Sequence, residues 1–141
     1  MRRILVGLDG TAEARRAAHL AANMAHAQGK ELVLACVTPG PTDAGPFTAE
    51  YAVWQAEQSH RRQEDLELTA QLEARADMQV KTRLLDGLDP AETLAKAARE
   101  DDDVELVVVG HRARGALARA VVGSVADKLV QICEKPVLVV H

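Results

Sequence analysis

The sequence predicts an α/β fold: a single Rossmann-like domain over residues 1–141, with an open parallel five-stranded sheet in the order 3-2-1-4-5 and helices on both faces. Two observations carry that expectation. Five short runs rich in Val, Ile and Leu recur along the 141 residues, and most are apolar throughout rather than alternating, as parallel strands covered on both faces are. Stretches with helical spacing separate them, and a β-α alternation of this kind winds through right-handed crossovers into a doubly wound sheet.

The first strand is RILVGL (3–8). After it, Ala17, Leu20, Ala21, Met24 and Ala25 follow the i, i+3, i+4, i+7 spacing of an inward helix face, and Gly29 stands where a left-handed C-cap belongs. The second strand is ELVLACV (31–37). TPGPTDAGPF (38–47) holds three of the five prolines and reads either as a ligand lid or as a plain connector beyond that strand. The helix through Tyr51 and Trp54 turns strongly polar at QAEQSHRRQEDLE (55–67), which predicts a solvated face. VKTRLL (80–85) is the third strand. DPAE (89–92) then offers Asp89 as N-cap, Pro90 at the first helical position and Glu92 three residues after the cap, ahead of an inward face of Ala91, Leu94, Ala95 and Ala98. VELVVV (104–109) is the fourth strand, Val122, Val125, Leu129 and Ile132 mark the last helix, and PVLVV (136–140) is the fifth strand.

Composition narrows the function. Hydrophobic residues make up 48% and aromatic ones 2%, so the core is built from Ala, Val and Leu, which suits close packing of helices on a sheet. A net charge of −4 and a pI near 5.7 supply no basic field for nucleic acid. Ile4–Leu8 is too short for a signal segment or a membrane span, so a cytoplasmic location is expected. Cys36 and Cys133 lie in no C-x-x-C or Cys/His cluster; both are expected in the core, with neither disulfide nor zinc.

In an open sheet of this order ligands sit at the carboxyl ends of the strands where strand order reverses. Neither G-x-x-x-x-G-K-[ST] nor G-x-G-x-x-G follows the first strand, which argues against a P-loop enzyme or an ordinary dinucleotide enzyme. Instead GHRARGALARAVVGS (110–124) follows the fourth strand. Gly123 and Ser124 open the last helix, where free N–H groups and the helix dipole favour an anion. A phosphate there would meet the N–H groups of Ser124 and Val125; the alternative is that Ser124 only N-caps the helix, with Asp127 completing S-x-x-D. Asp9 ends the first strand on the same edge, either as a ligand group for ribose or metal or as the head of an Asx turn into Gly10 and Thr11. Of the loop arginines Arg112, Arg114 and Arg119, at most one, with Arg112 the candidate, is expected to fork onto phosphate oxygens, the others being solvated. His111 has no visible nucleophile or second base, and His19 and His26 lack metal spacing, so no catalytic or metal-ligating residue is assigned.

Over essentially its whole length the chain resembles the universal stress protein family. The resemblance rests on ILVGLDGT (4–11), GLDPAETLAKAA (87–98), LVVVGHRARGALARAVVGSVADKLV (106–130) and KPVLVV (135–140). It implies ATP or related adenine-nucleotide binding, with Mg2+ as a companion ion, by a regulatory homodimer in stress response. The ATP-binding signature G-x2-G-x9-G-[ST] falls on Gly110, Ala113, Gly123 and Ser124, with alanine in place of the second glycine. Were Ala113 to adopt a left-handed conformation the strain would be on the order of 1 kcal/mol, about fivefold in affinity. By the same resemblance Asp9 lies near ribose and phosphates, Val37 lines the adenine site, and Gly123 and Ser124 hold phosphate. The implied dimer pairs the uncharged edge strand Val137–Val140 with its symmetry mate. A nucleotide-free adaptor of the same fold is the alternative, and a slow ATPase a weaker one.

Overall fold

In a computed structural model of the chain, residues 1–38, 48–111 and 125–141 are described. Five strands and four helices alternate among them: β1 (Arg3–Leu8), α1 (Ala12–Gln28), β2 (Glu31–Thr38), α2 (Ala49–Glu73), β3 (Val80–Asp86), α3 (Pro90–Glu100), β4 (Val104–Gly110), α4 (Val125–Ile132) and β5 (Val137–Val140). All neighbouring strands are parallel, and the sheet order is β3-β2-β1-β4-β5, as the sequence predicts.

Strand pleating sends alternate residues to opposite faces and divides the core in two. Ile4, Val6, Leu8, Leu32, Leu34 and Cys36 meet α1 and Leu66 of α2 on one face. Leu5, Val33, Ala35, Val107 and Val109 meet α3 and α4 on the other. Six buried alanines of α1 let its backbone lie close to the sheet, which is how a core without large rings reaches native density.

The helix termini follow the local chemistry. Asp89 caps α3 by accepting from the N–H groups of Ala91 (2.9 Å) and Glu92 (3.2 Å). Thr11 caps α1 through the Ala14 N–H at 3.2 Å. Gly29 adopts φ 65°, ψ 35°, the left-handed cap that glycine takes without a Cβ penalty.

Several expectations are corrected. Leu20 belongs to the predicted inward stripe of α1 but is exposed and Met24 only half-buried; Ala14, Ala18 and Ala22 complete the buried face instead. On α4, Leu129 is buried with Ala126, while Val125 and Ile132 are exposed. Strand β3, the sheet edge that the predicted order also makes it, has four consecutive exposed residues rather than the cover on both faces expected of the strands. The polar stretch of α2 holds Leu66, which is fully buried. Cys36 is buried, its thiol pushed up to about 12 by that burial, whereas Cys133 is only half-buried.

At the amino ends of the strands, Glu31 is 2% exposed and pairs with Arg3 Nε at 2.6 Å and Lys81 Nζ at 2.8 Å. Arg3 also reaches Asp101 at 3.0 Å. Burial pushes the Glu31 carboxyl up, but Lys81 and Arg3 more than offset this and hold it below the usual glutamate range. A carboxyl whose pKa is lower folded than unfolded adds stability above the unfolded value, and that stability is lost as pH falls through the folded one. The stability gap between the parent chain and Glu31→Gln is therefore expected to be widest above about pH 5 and to close below about pH 4. Urea titrations across that range check this; a gap constant with pH would contradict it.

Candidate functional site

The sheet order reverses between β1 and β4, because the chain leaves β1 for β2 and β3 on one side and later returns to β4 and β5 on the other. Register brings the predicted residues to one edge. Gly7 pairs with Ala35 on one side and Val109 on the other, so Gly110 lies one residue, and Asp9 and Val37 two residues, beyond a common level. Val37 is half-buried and packs against the core cluster under α3 and α4.

Asp9 heads an Asx turn. Its Oδ1 accepts from the Thr11 N–H at 3.0 Å and the Thr11 hydroxyl at 2.5 Å. Gly10 between them has φ +81°, and among the described residues no atom lies within 4 Å of where a Cβ would stand. The turn thus leaves backbone without a side chain at the start of α1, beside a carboxylate, and both readings of Asp9 are compatible with it.

Gly110 serves a different physical purpose. A Cβ added there would stand 2.6 Å from the Ala14 nitrogen, 2.6 Å from the Glu13 carbonyl carbon and 2.8 Å from its oxygen. Every one of those atoms is main chain, so glycine is what allows β4 to end against the first turn of α1. The following residue, His111, donates its N–H to the Val140 carbonyl at 2.8 Å. Its ring lies 5.0 Å from that of His141, with Nε2 3.9 Å from Asp127 Oδ1.

Arg112, Ala113, Gly123 and Ser124, with Arg114, Arg119 and Val122, fall outside the described residues, as does most of the turn-rich stretch after β2. Of the signature only Gly110 is described; Val125, the residue after the signature, is the first of α4. Among the described residues no group of three or more His, Cys, Asp or Glu is arranged to hold a metal ion, and no helix is long and apolar enough to cross a membrane.

Two groups at this edge escaped the sequence reading. Arg62 of α2 donates from Nη1 to the Asp9 carbonyl at 3.4 Å, while its Nε is buried and has no partner among the described residues. A buried donor left unpaired costs about 1–3 kcal/mol, so this one fits an oxygen supplied by a ligand. Arg62 precedes Leu66 by one helical turn, but nothing local in the sequence ties it to Asp9, 53 residues away. Lys128 of α4 spans Asp89 and, at 3.2 Å, Glu92. It holds the Asp89 carboxyl below the usual carboxylate range, helped by the Glu92 N–H, and so ties α4 to the start of α3.

Known proteins bear on this geometry. The model of the universal stress protein family matches residues 1–141. A universal stress protein of Mycobacterium tuberculosis is 30% identical, aligned over 98% of this chain and 47% of its own length; the chain spans about half the length of the curated relatives it matches. Among solved structures, UspA from Lactobacillus plantarum has a TM-score of 0.81 at 22% identity, over 99% of this chain and 97% of that one. A universal stress protein in complex with cAMP has a TM-score of 0.74 at 22% identity, over 99% and 97%. One from Archaeoglobus fulgidus in complex with dAMP has 0.68 at 22%, over 100% and 98%. At such identities the structural likenesses speak for the fold. With the family model matched from the first residue to the last, this chain belongs to the universal stress protein family.

Proposed function

We propose that the chain binds ATP or a related adenine nucleotide, with Mg2+ as companion ion, at the carboxyl edge of its sheet, in a regulatory role in the cytoplasm. The observation that carries the reading is the convergence of Asp9, Val37 and Gly110 on the reversal point between β1 and β4. In this reading Asp9 and the open Gly10 backbone receive ribose and phosphate, Val37 packs against the base, and Arg112, Gly123, Ser124 and the Val125 N–H hold the phosphates. The Arg62 guanidinium stands beside Asp9 with a donor to spare. That two structural neighbours are complexes with cAMP and dAMP supports an adenine nucleotide as the ligand class. Binding, rather than turnover, is what these residues supply.

The protomers pair through Val137–Val140. Both sheet edges are open in a lone chain, but β3 carries Lys81 and Arg83, charges of the kind that guard an edge, whereas β5 reads VLVV with none. Strand pairing across a two-fold axis would satisfy its outer backbone groups.

Ala113 favours a second reading, in which the same fold has lost its nucleotide. Ala113→Gly distinguishes the two. If the parent site is functional, the substitution raises ATP affinity by about fivefold or less, the strain of one left-handed alanine. A site that binds only after the substitution would establish the nucleotide-free reading. Detection of an adenine nucleotide released from the freshly purified, denatured chain by mass spectrometry tests the function itself.

A further inference from the structure

Helix α2 has 25 residues but only Leu66 and Thr69 fully buried, and it packs over β2 and β3, far from the β5 edge. At 3.6 residues per turn the side opposite Leu66 carries Val53, Trp54, Leu68 and Leu72 together with the exposed charges Glu57, Arg61 and Glu64. Large apolar groups there stand in water: Val53 is 59% exposed, Trp54 43%, Leu68 52% and Leu72 69%. Trp54 is the chain's one tryptophan, and nothing in the fold uses it to fill the core.

The order of these residues is self-complementary. About a point midway between residues 62 and 63, Arg61 and Glu64 are equidistant and opposite in charge, and Val53 and Leu72 are equidistant and both apolar, with Trp54 one residue inside. An antiparallel helix pair turned about a two-fold axis at that point would set Arg61 of each copy against Glu64 of the other. Each Val53–Trp54 end would meet the other copy's Leu72, and each Glu57, one turn before its own Arg61, would lie across from the other copy's Leu68. The contact would run about 28 Å along the helix. Glu64 Oε1 already faces His60 Nε2 at 2.9 Å within the helix, and Arg61 is exposed beside it. A two-fold interface needs one patch that complements itself, and charge order selects a second copy over an unrelated partner.

We infer that the outer face of α2 is a self-association surface on which a second copy of this chain docks antiparallel, centred on reciprocal Arg61–Glu64 pairs and closed at both ends by Val53, Trp54 and Leu72. The inference is independent of nucleotide binding. Together with pairing at β5 it would give each chain two separate two-fold faces, sufficient for a closed tetramer or a filament.

Sedimentation velocity of the full chain over a wide concentration range tests it, with circular dichroism to verify folding and nucleotide titration to verify the other site. Arg61→Glu and Glu64→Arg each place like charges at both central pairs, and each is expected to weaken the association at least about tenfold. A 1:1 mixture of the two single variants, or both substitutions in one chain, restores opposite charges and is expected to return the affinity to within about threefold of the parent. Trp54→Glu weakens association and is not rescued. Any β5 pairing is common to all samples and forms a constant baseline. Equal masses for the parent and both single variants at every concentration would overturn the inference, and so would loss in each single variant with no recovery on mixing.

Discussion

Gly110→Ala is expected to destabilise the chain by about 3 kcal/mol, at the upper end of what overpacking costs, and to lower the melting temperature by about 10 °C. The added methyl meets the Ala14 nitrogen and the Glu13 carbonyl at 2.6–2.8 Å. A side chain could rotate away, but main chain in the first turn of a capped helix cannot. Relief therefore requires β4 and the start of α1 to separate, which strains the hydrogen bond from the His111 N–H to Val140 and the Thr11 cap. Those are also the walls of the candidate site, so nucleotide affinity should fall together with stability. Gly10→Ala makes the contrast. It has a positive φ and no neighbour among the described residues within 4 Å of a Cβ, so its cost is backbone strain of about 1 kcal/mol. Thermal melts of the two variants check the ranking; equal melting temperatures would refute the packing account of Gly110.

Leu66→Ala is expected to cost about 3–4 kcal/mol, within the range for buried leucines. Leu66 is fully buried and is the single large apolar side chain by which α2 enters the core. Its removal loosens one long helix rather than the whole sheet. Hydrogen exchange should accordingly show α2 amides losing protection first, while α1, held by six buried alanines, keeps its own. A loss below about 1 kcal/mol, or an even loss of protection across all helices, would contradict this.

The sheet was legible because parallel buried strands leave apolar runs that local sequence displays. RILVGL marks β1 to the residue, and the strand order follows from alternation and handedness. Caps were legible for the same reason: Asp89, Pro90 and Gly29 act within a few residues of themselves. What failed depends on distant neighbours. Periodicity cannot tell that small Ala14, Ala18 and Ala22, rather than Leu20, line the close approach of α1 to the sheet. Leu66 was hidden in a stretch whose other residues are mostly polar.

The same division runs through the candidate site. Asp9 and Gly110 could be assigned to one edge because each ends a recognisable strand, whereas Val37 entered through the family resemblance. Arg62 could not, since its relation to Asp9 spans 53 residues and exists only once α2 is laid on the sheet. Gly110 was legible as a signature position but not for its reason: its glycine is required by the α1 backbone, independently of a ligand.

The central claim is tested most directly by isothermal titration of the full chain with ATP and Mg2+. One site per chain, with a dissociation constant in the micromolar range or tighter and weakened by Asp9→Ala, is the predicted result. Absence of heat, together with no thermal shift at millimolar nucleotide, would contradict it.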